Sequence, residues 1–382
     1  MTNILKILHI IPNLRKGGAE RIVIDIVKEL HLRNSVEVQL VLFEDKIEYG
    51  IKEIEDCITV IPSTVTLSKI QKNVFDVSSL QRHIELFEPD VIHSHLFEAE
   101  IISRSVSYKQ AKWFSHCHDN MPVFQNIFFS TLFSGKKINN VFEKAFLLSR
   151  YKINGGTHFI AISKNTETYF KQVTSDFPVS LLPNAINYAR FARTEERLDY
   201  NKNPLRLINI GALNENKNQT FLLHVMANLS TKIDLELHLL GDGPCRTELE
   251  KKCSLLGLEN KVFFHGNVEN VEEHLWQSDI YVHSAHSEAM GLVFLEAMAA
   301  SLPVVTLDGK GNRDLIEHGK NGFMLSDHNT EHFAEQILQL TTDSDLYMKI
   351  SRNAETFARQ YDIKDYCNRL LTLYSQDLLC AE

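Results

Sequence analysis

The sequence lacks any uninterrupted run of about 18 apolar residues, the length that a helix needs to cross a bilayer. Its opening stretch, MTNILKILHIIPNL, has a shorter apolar run that contains Lys6 and His9, and no small-residue cleavage site follows it. The stretch therefore predicts a first β-strand rather than a signal peptide. We expect a cytoplasmic protein, either soluble or peripheral on the inner face of the cytoplasmic membrane.

Closely spaced cysteines are also lacking. The six cysteines are scattered along the chain: Cys57, Cys117, Cys245, Cys253, Cys367 and Cys380. Their spacing excludes the short paired motifs of cysteine zinc sites and dithiol enzymes. Isolated thiols are typical of a reducing compartment. The chain also has no internal repeat, and its composition is that of an ordinary globular protein.

A strongly basic region is the third feature that the sequence lacks. Residues 1–190 carry 22 Lys and Arg against 20 Asp and Glu, a net charge of +2. Because the net charge of the whole chain is −9, residues 191–382 carry −11. An acidic half does not present the basic face that nucleic acid needs, and we expect no nucleic-acid partner. The nearly neutral first half is compatible with an anionic membrane surface, although solvated surfaces produce the same imbalance.

Short apolar runs rich in branched residues alternate with helical patterns along the chain. The run KILHII at 6–11 is followed by GGAERIVIDIVKEL at 17–30, whose apolar residues recur at helical spacing. The alternation restarts with LRLINIGAL at 205–213 and continues to PVVTL at 303–307. Strands separated by helices predict parallel sheets built from βαβ units, which bind ligands at the carboxyl ends of their strands.

The length of the chain predicts more than one domain. At 382 residues it exceeds the roughly 250–300 residues that one hydrophobic core usually serves. Because the strand and helix pattern stops and restarts, we predict two Rossmann-like domains of the α/β class. Their predicted bounds are 1–185 and 186–360.

The stretch SEAMGLVFLEAMAASLPVV at 287–305 places two carboxylates in an apolar setting. If a helix begins near Gly291, Glu288 lies in the loop before it and Glu296 inside it. Helical side chains tilt toward the helix N-terminus, where free N–H groups attract anions, so both carboxylates can border one anion site. That arrangement suits a diphosphate joined to hydroxyl-bearing sugars. The alternatives are a core salt bridge for Glu296 and simple surface exposure for Glu288.

This stretch, with the GNRDLIEHGKNGFML that follows, resembles the E-x7-E region of retaining GT-B glycosyltransferases of family 4. Seven further stretches resemble the family in order: GGAERIVIDIVKEL (17–30), EPDVIHSHLF (88–97), FIAISK (159–164), LLPNAINYARF (181–191), GALNENKNQ (211–219), LLGDGP (239–244) and VFFHGNVENV (262–271). The resemblance implies a GT-B fold, in which two Rossmann-like domains face each other across a cleft. It also implies a C-terminal helix at about 361–382 that packs back on the first domain.

The resemblance implies a function as well. A nucleoside-diphosphate sugar, most often a UDP-sugar, would be held by the second domain and its sugar transferred with retention of configuration. The acceptor would be a glycan or a polyprenyl-linked oligosaccharide of surface polysaccharide biosynthesis, and we expect no cofactor and no metal. Glu296 would accept hydrogen bonds from the ribose, and Glu288 would contact the transferred sugar. The other donor-binding residues would be Lys217, which neutralises the diphosphate, and Gly211, Gly266, Gly291 and Leu292.

Gly17 and Gly18 follow the first strand and precede a helix. Two glycines there allow the backbone to approach a ligand closely. By itself a glycine pair is weak evidence. The family resemblance implies that this loop lies between the acceptor and the donor phosphate.

Histidines at alternate positions follow two other strands. His93 and His95 form one pair, and His116 and His118 form another. Alternate residues of a strand share a face, which is the spacing of metal ligands, and a metal site is one interpretation. The resemblance implies instead a single histidine beside the donor sugar, which His118 matches best and His116 second.

One residue departs from the family pattern. Gly211 is usually followed by an arginine that grips the diphosphate together with lysine, whereas Ala212 stands here. Arg246 and Arg313 are the nearest candidates to supply the missing cation. The departure leaves open a non-catalytic nucleotide-sugar-binding subunit, and a GT-B sugar-nucleotide epimerase is a further alternative.

The segment 121–152 combines aromatic and basic residues, among them Phe124, Phe128 and Lys144. Aromatics beside a basic helix suit contact with anionic lipid, where a polyprenyl-linked acceptor would be found. Packing of the same phenylalanines into the core of the first domain is the alternative interpretation.

Overall fold

The computed structural model describes residues 4–67, 73–124, 135–193 and 203–379. The chain divides into two compact units, Met1–Asn184 with Ile363–Glu382, and Ala185–Asp362. Within the described residues, no helix is both long enough and apolar enough to span a membrane.

The first unit is built on a parallel sheet. Its elements in chain order are β1 (Leu5–Ile11), α1 (Gly18–His31), β2 (Val36–Leu42), β3 (Ile58–Val60), β4 (Thr64–Thr66), β5 (Val74–Asp76), α2 (Ser78–Phe87), β6 (Val91–His95), α3 (Phe97–Arg104), β7 (Lys112–Cys117), α4 (Gly135–Ile153), β8 (His158–Ala161), α5 (Lys164–Val173) and β9 (Val179–Leu181). The sheet order is β3-β2-β1-β6-β7-β8-β9, and β4 pairs separately with β5 in an antiparallel hairpin.

The second unit contains another parallel sheet, of order β12-β11-β10-β13-β14-β15. Its elements are α6 (Tyr188–Phe191), β10 (Leu205–Ile210), α7 (Gln219–Leu229), β11 (Leu235–Leu240), α8 (Arg246–Leu255), β12 (Val262–Gly266), α9 (Val271–Gln277), β13 (Ile280–His283), α10 (Leu292–Ala299), β14 (Val304–Leu307), β15 (Gly322–Leu325), α11 (Thr330–Thr342) and α12 (Ser344–Ala358). The strand at Gly322–Leu325 was not among the predicted strands.

The last helix, α13 (Ile363–Leu379), belongs to the first unit. It packs against α1, where Arg33 donates a hydrogen bond of 2.7 Å to the Asn368 side chain. On the sheet side, the Tyr374 hydroxyl lies 2.6 Å from Nδ1 of His93. The helix therefore covers the face of the sheet on which the β6 histidines lie.

The strand order identifies where each sheet can bind a ligand. It reverses between β1 and β6 in the first sheet and between β10 and β13 in the second. Loops leave such neighbouring strands in opposite directions, which opens a crevice at their carboxyl ends. In the second sheet, the residues that follow β10 and β13 are therefore expected to line the ligand crevice.

Candidate active site

The predicted donor-site residues of the second unit gather at the carboxyl edge of its sheet. Gly211 directly follows β10, Gly266 ends β12, and Glu288 lies in the loop between β13 and α10. Several hydrogen bonds join the loops after β10 and β13. Among them, the His286 N–H donates to the Asn216 carbonyl at 2.8 Å, and the Asn216 side chain donates to the Ser287 carbonyl at 2.9 Å. The two loops at the point of strand reversal thus form one connected surface.

Glu288 is held at this edge by two donors and is not a surface residue. Its side chain is 9% exposed. Oε1 accepts hydrogen bonds from the Lys217 ammonium and from Nε2 of His283, the latter at 2.7 Å. Nδ1 of His283 lies 3.0 Å from the Tyr281 hydroxyl. Because a carboxylate only accepts, His283 carries its proton on Nε2, and Tyr281 donates to Nδ1.

The electrostatics of this group favour an ionised Glu288 beside a neutral His283. Burial by itself would raise the pKa of Glu288, but the hydrogen bond from His283 and the charge of Lys217 outweigh burial and lower that pKa to about 2. Burial lowers the pKa of His283, against the opposing pull of Glu288. The site thus presents one fixed negative charge with a cation next to it.

The backbone of Glu288 is fixed by the loop after β14. The Glu288 N–H donates to the Gly309 carbonyl at 2.8 Å, and the Gly311 N–H donates to the Glu288 carbonyl at 3.1 Å. A Cβ at Gly311 would lie 2.2 Å from the carbonyl oxygens of Glu288 and Ala289. Only glycine permits this approach, so Gly311 sets the position of the catalytic candidate.

The start of α10 leaves room for an anion. Its N-cap residue, Gly291, has a positive φ of 89° and no side chain that could cap the helix. A Cβ at Gly291 would lie 2.5 Å from the Phe294 ring, so a larger residue does not fit. The Phe294 N–H donates to the Gly291 carbonyl at 3.1 Å, so the N–H groups of Leu292 and Val293 are the ones that the start of α10 offers to a ligand such as a phosphate.

Glu296 lies on α10, one helical turn beyond this start, and is 8% exposed. Burial, the charge of Glu288 and the charge of Glu296 together raise the pKa of Tyr281 well above its usual value. The negative charges of the two carboxylates predicted to share a crevice therefore both raise the pKa of one buried tyrosine of β13.

The glycines of the sheet edge bring separate backbone turns into contact. A Cβ at Gly241 would lie 2.2 Å from the Gly211 carbonyl oxygen, and the Gly241 N–H donates to the Gly266 carbonyl at 2.7 Å. The Lys217 side chain crosses Gly211, with Cε 3.5 Å from where a Cβ would stand. Gly211 thus gives Lys217 its path to Glu288.

Both arginines considered as replacements for the missing cation have carboxylate partners. Arg313 forms a bidentate pair with Asp308, and its side chain is 61% exposed. Arg246 pairs with Asp242 at 3.2 Å and with Glu250 at 2.9 Å. Arg246 also lies beside Gly266, since its Nη1 is 3.5 Å from the place of a Cβ there. Arg313 lies in the loop after β14 that holds the Glu288 backbone, so both arginines are near predicted site residues.

The glycine loop of the first unit is held by a tyrosine. The Tyr49 hydroxyl donates to the Gly17 carbonyl at 2.9 Å and accepts from the Gly17 N–H at 3.0 Å. A Cβ at Gly17 would meet the Glu20 carboxylate at 2.2 Å, whereas a Cβ at Gly18 would meet nothing within 4 Å. A side chain at Gly17 would therefore displace the Glu20 carboxylate, whereas Gly18 is the open position of the loop.

His118 follows β7 and belongs to a buried group of histidines. Its Nε2 lies 3.1 Å from Nδ1 of His95, whose Nε2 in turn lies 2.8 Å from Nδ1 of His9. Nε2 of His116 lies 3.1 Å from the Asn184 side-chain oxygen. Burial lowers the pKa of His118 well below its usual range and that of His116 to about 4. Since Nε2 of His118 faces His95, Nδ1 is the nitrogen that could reach a substrate.

The aromatic and basic segment divides between the core and the surface. Phe124 is fully buried and packs on Phe159 and Phe170, so the core interpretation is correct for this residue. Phe142 is 52% exposed. Phe128 and the rest of 125–134 lie outside the described residues.

Several functional candidates were not found from the sequence. His283 and Tyr281 lie on β13, which ends at His283. Their proximity to Glu288 could be recognised only if that strand end were known. Gly311 lies in the stretch DGKGNRD, and no spacing in the sequence connects its glycines with Glu288. Tyr49 is 32 residues from Gly17, and no spacing rule connects them.

Comparison with known sequences identifies the family. Residues 16–190 match the family described as Glycosyltransferase Family 4, and residues 191–357 match the one described as Glycosyl transferases group 1. The two matches adjoin and extend over both units. The chain belongs to the family 4, group 1 glycosyltransferases.

Curated relatives of this family member include two bacterial enzymes. The N-acetyl-alpha-D-glucosaminyl L-malate synthase of Bacillus anthracis is 30% identical over 44% of this chain and 44% of its own length. A Campylobacter jejuni protein, N-acetylgalactosamine-N,N'-diacetylbacillosaminyl-diphospho-undecaprenol 4-alpha-N-acetylgalactosaminyltransferase, is 25% identical over 92% of this chain and 94% of its own length. The match thus spans less than half of the first relative and nearly all of the second.

Solved structures establish the fold of this family member. Anabaena HepE, solved in complex with UDP, has a TM-score of 0.77 at 22% identity, covering 97% of this chain and 100% of its own. WaaG, a glycosyltransferase involved in lipopolysaccharide biosynthesis, has a TM-score of 0.73 at 18% identity, covering 96% and 99%. The predicted α/β GT-B fold with two Rossmann-like domains is confirmed.

Proposed function

We propose that this protein transfers a sugar from a nucleoside-diphosphate sugar, with UDP as the favoured nucleotide, to a glycan or lipid-linked oligosaccharide of surface polysaccharide biosynthesis. The observation that supports it is an ionised Glu288, held by Lys217 and His283 beside the open N-terminus of α10. Transfer produces positive charge on the sugar and negative charge on the departing diphosphate, and both must be stabilised together. A fixed carboxylate next to a cation and free N–H groups suits that task.

Each site residue has a proposed role. Glu288 stabilises the transferred sugar as its bond to the diphosphate breaks, and Glu296 accepts from the ribose hydroxyls. Lys217 is shared between Glu288 and the diphosphate, because its ammonium already contacts Glu288. Gly291 and Leu292 donate backbone N–H groups to the phosphates, while Gly211 and Gly266 let the donor approach the sheet edge.

To the first unit we assign the roles that the family resemblance implies: Nδ1 of His118 would bind the donor sugar, and the Gly17–Gly18 loop would bind the phosphate. We propose transfer with retention of configuration and without a metal ion at the donor. The protein would act in the cytoplasm, at the membrane face where a polyprenyl-linked acceptor is found. Exposed Phe75, Val141 and Phe142 in the first unit support contact with lipid.

A test uses the purified chain with UDP-, GDP- and ADP-sugars and no acceptor. We expect slow release of free sugar from one donor class, lowered at least tenfold by Glu288→Gln. Gly50→Ala is the matched control, since a Cβ there meets nothing within 4 Å. An unchanged rate in Glu288→Gln would contradict its role. Binding without release would favour the non-catalytic subunit, and conversion into another nucleotide sugar would favour the epimerase.

A further inference from the structure

Five histidines of the first unit form one buried group, which we call the histidine cluster: His9, His93, His95, His116 and His118. They come from β1, β6 and the end of β7, which are neighbours in the sheet. The register places His9 opposite His93 and His95 opposite His116. None is more than 9% exposed, and the contacting rings have centroids 4.2–5.4 Å apart.

The hydrogen bonds of the cluster leave ring nitrogens without partners. The Asn184 amide oxygen only accepts, so His116 carries its proton on Nε2 and a lone pair on Nδ1. Among the described residues, Nδ1 of His116, Nε2 of His9 and Nε2 of His93 are buried without a hydrogen-bond partner. Each such nitrogen costs about 1–3 kcal/mol, and Nδ1 of His116 is the one that faces no donor although it carries a lone pair, so it requires an explanation.

We propose that His95, His116 and His118 bind a divalent transition-metal ion. One ring nitrogen of each lies within 4.8 Å of the other two. Nδ1 of His95 and Nε2 of His118 are 3.1 Å apart. Two nitrogens bound to a tetrahedral zinc ion are roughly 3.3 Å apart, so this pair needs little movement to share an ion.

The second nitrogens of two ligands already have partners that would orient them. Nε2 of His95 contacts His9, and Nε2 of His116 contacts Asn184. Ligating histidines usually use their other nitrogen in this way. From the sequence we favoured a single sugar-binding histidine over a metal. The sequence did not show that His9 and Asn184 contact these histidines. These two residues complete the environment of a metal site.

The ligand set selects the kind of metal. Three imidazoles favour Zn²⁺, Co²⁺, Ni²⁺ or Cu²⁺ over Mg²⁺ and Ca²⁺, which prefer oxygen ligands. A fourth position would remain for water or an anionic ligand. The described residues contain two other groups of metal-ligand side chains. One, formed by His9, His93 and His95, shares His95 with the proposed site, and the other, formed by His31, Asp56 and Cys57, is less suitable. Burial raises the pKa of Cys57 to about 11, which keeps it a thiol, whereas metals bind the thiolate.

The test is a metal titration of the whole chain without a polyhistidine tag and without nucleotide, so its outcome is independent of the proposed transferase activity. Chelator-stripped protein is titrated with Co²⁺, and Zn²⁺ affinity is measured against a chromophoric chelator. We expect one Co²⁺ per chain, with the visible absorption of a four-coordinate site that Zn²⁺ abolishes. His116→Gln should lower the affinity on the order of 100-fold, and Asn184→Ala about 10–100-fold.

Cys57→Ser is the control, because it removes the competing group and should leave the spectrum unchanged. Thermal unfolding establishes that each variant is folded, and His118→Gln, at the margin of the cluster, replaces His116→Gln if that variant does not fold. The proposal is overturned if the wild type shows no four-coordinate Co²⁺ spectrum. It is also overturned if the folded histidine variant keeps the wild-type affinity, or if Cys57→Ser loses the spectrum.

Discussion

Oε1 of Glu288 accepts a hydrogen bond of 2.7 Å from Nε2 of His283, the last residue of β13. The two are five positions apart in the chain, and the loop between them turns back so that the carboxylate meets the strand end. Tyr281 completes the series by donating to the other nitrogen of His283. A buried and otherwise neutral hydrogen-bond chain thus ends on the carboxylate that we assign to catalysis.

Removal of the imidazole should destabilise the second unit. In His283→Phe the ring volume stays, but Glu288 loses a donor, and we expect a loss of about 1–3 kcal/mol in the free energy of unfolding, measured with urea at neutral pH. The matched control is His265→Phe, an exposed histidine paired with His238 on the same sheet, which should cost less than about 0.5 kcal/mol. Equal losses in the two variants would contradict the account.

Acid should weaken the protein through Glu288. Its folded-state pKa of about 2 lies below its ordinary value of 4.5, so its contribution to stability is present above about pH 4.5 and is lost as the pH falls toward 2. Denaturant unfolding between pH 5.5 and about 3 should therefore give a steeper fall in the free energy of unfolding for the wild type than for Glu288→Gln. Parallel curves would show that Glu288 titrates normally.

The strands of the two sheets were predicted because each is a run of branched apolar residues followed by a helical pattern. Both patterns are formed by residues that are close together in the chain. The strand GFML at Gly322–Leu325 was missed because it begins with glycine, which is uncommon within strands, and contains no β-branched residue. The three-residue strands β3, β4 and β5 are too short to show an alternation.

Residue spacing predicted the site only where its residues are near each other in the chain, whereas Lys217, Gly211 and Gly266 came from the family resemblance. Glu288, Gly291 and Glu296 lie within one loop and helix, so their spacing carries the information. His9 joins His93 and His95 only through the pairing of β1 with β6, more than 80 residues apart. The sequence predicted a role for Glu288 but not its hydrogen bond from His283. That contact could be predicted only if the end of β13 were known, and sequence defines strand ends poorly.

A methyl group at Gly311 should displace Glu288. Because a Cβ would lie 2.2 Å from two carbonyl oxygens, Gly311→Ala must shift the backbone of the Glu288 loop. We expect a loss of about 1–3 kcal/mol in stability and at least a tenfold fall in sugar release from the donor. Gly50→Ala should change neither, and wild-type release by a folded Gly311→Ala would exclude the positioning role.

Restoring the missing cation should strengthen nucleotide binding. Ala212 is exposed beside Gly211, so the longer side chain of Ala212→Arg has room. A new charge facing a diphosphate should raise affinity about tenfold at low salt and less at high salt. Ala212→Gln supplies similar length without charge and serves as the control. If both variants bind alike, the missing arginine has no bearing on the diphosphate.

The central claim is that the second unit holds a nucleoside diphosphate with Glu296 on its ribose. The most direct measurement is calorimetric titration of the wild type and Glu296→Gln with UDP, GDP and ADP, alongside urea unfolding of both. We predict that one nucleotide binds the wild type, that Glu296→Gln weakens this binding at least tenfold, and that the free energy of unfolding changes by less than about 1 kcal/mol. Equal nucleotide affinity in the two proteins, or no binding of any nucleotide to the wild type, would contradict the account.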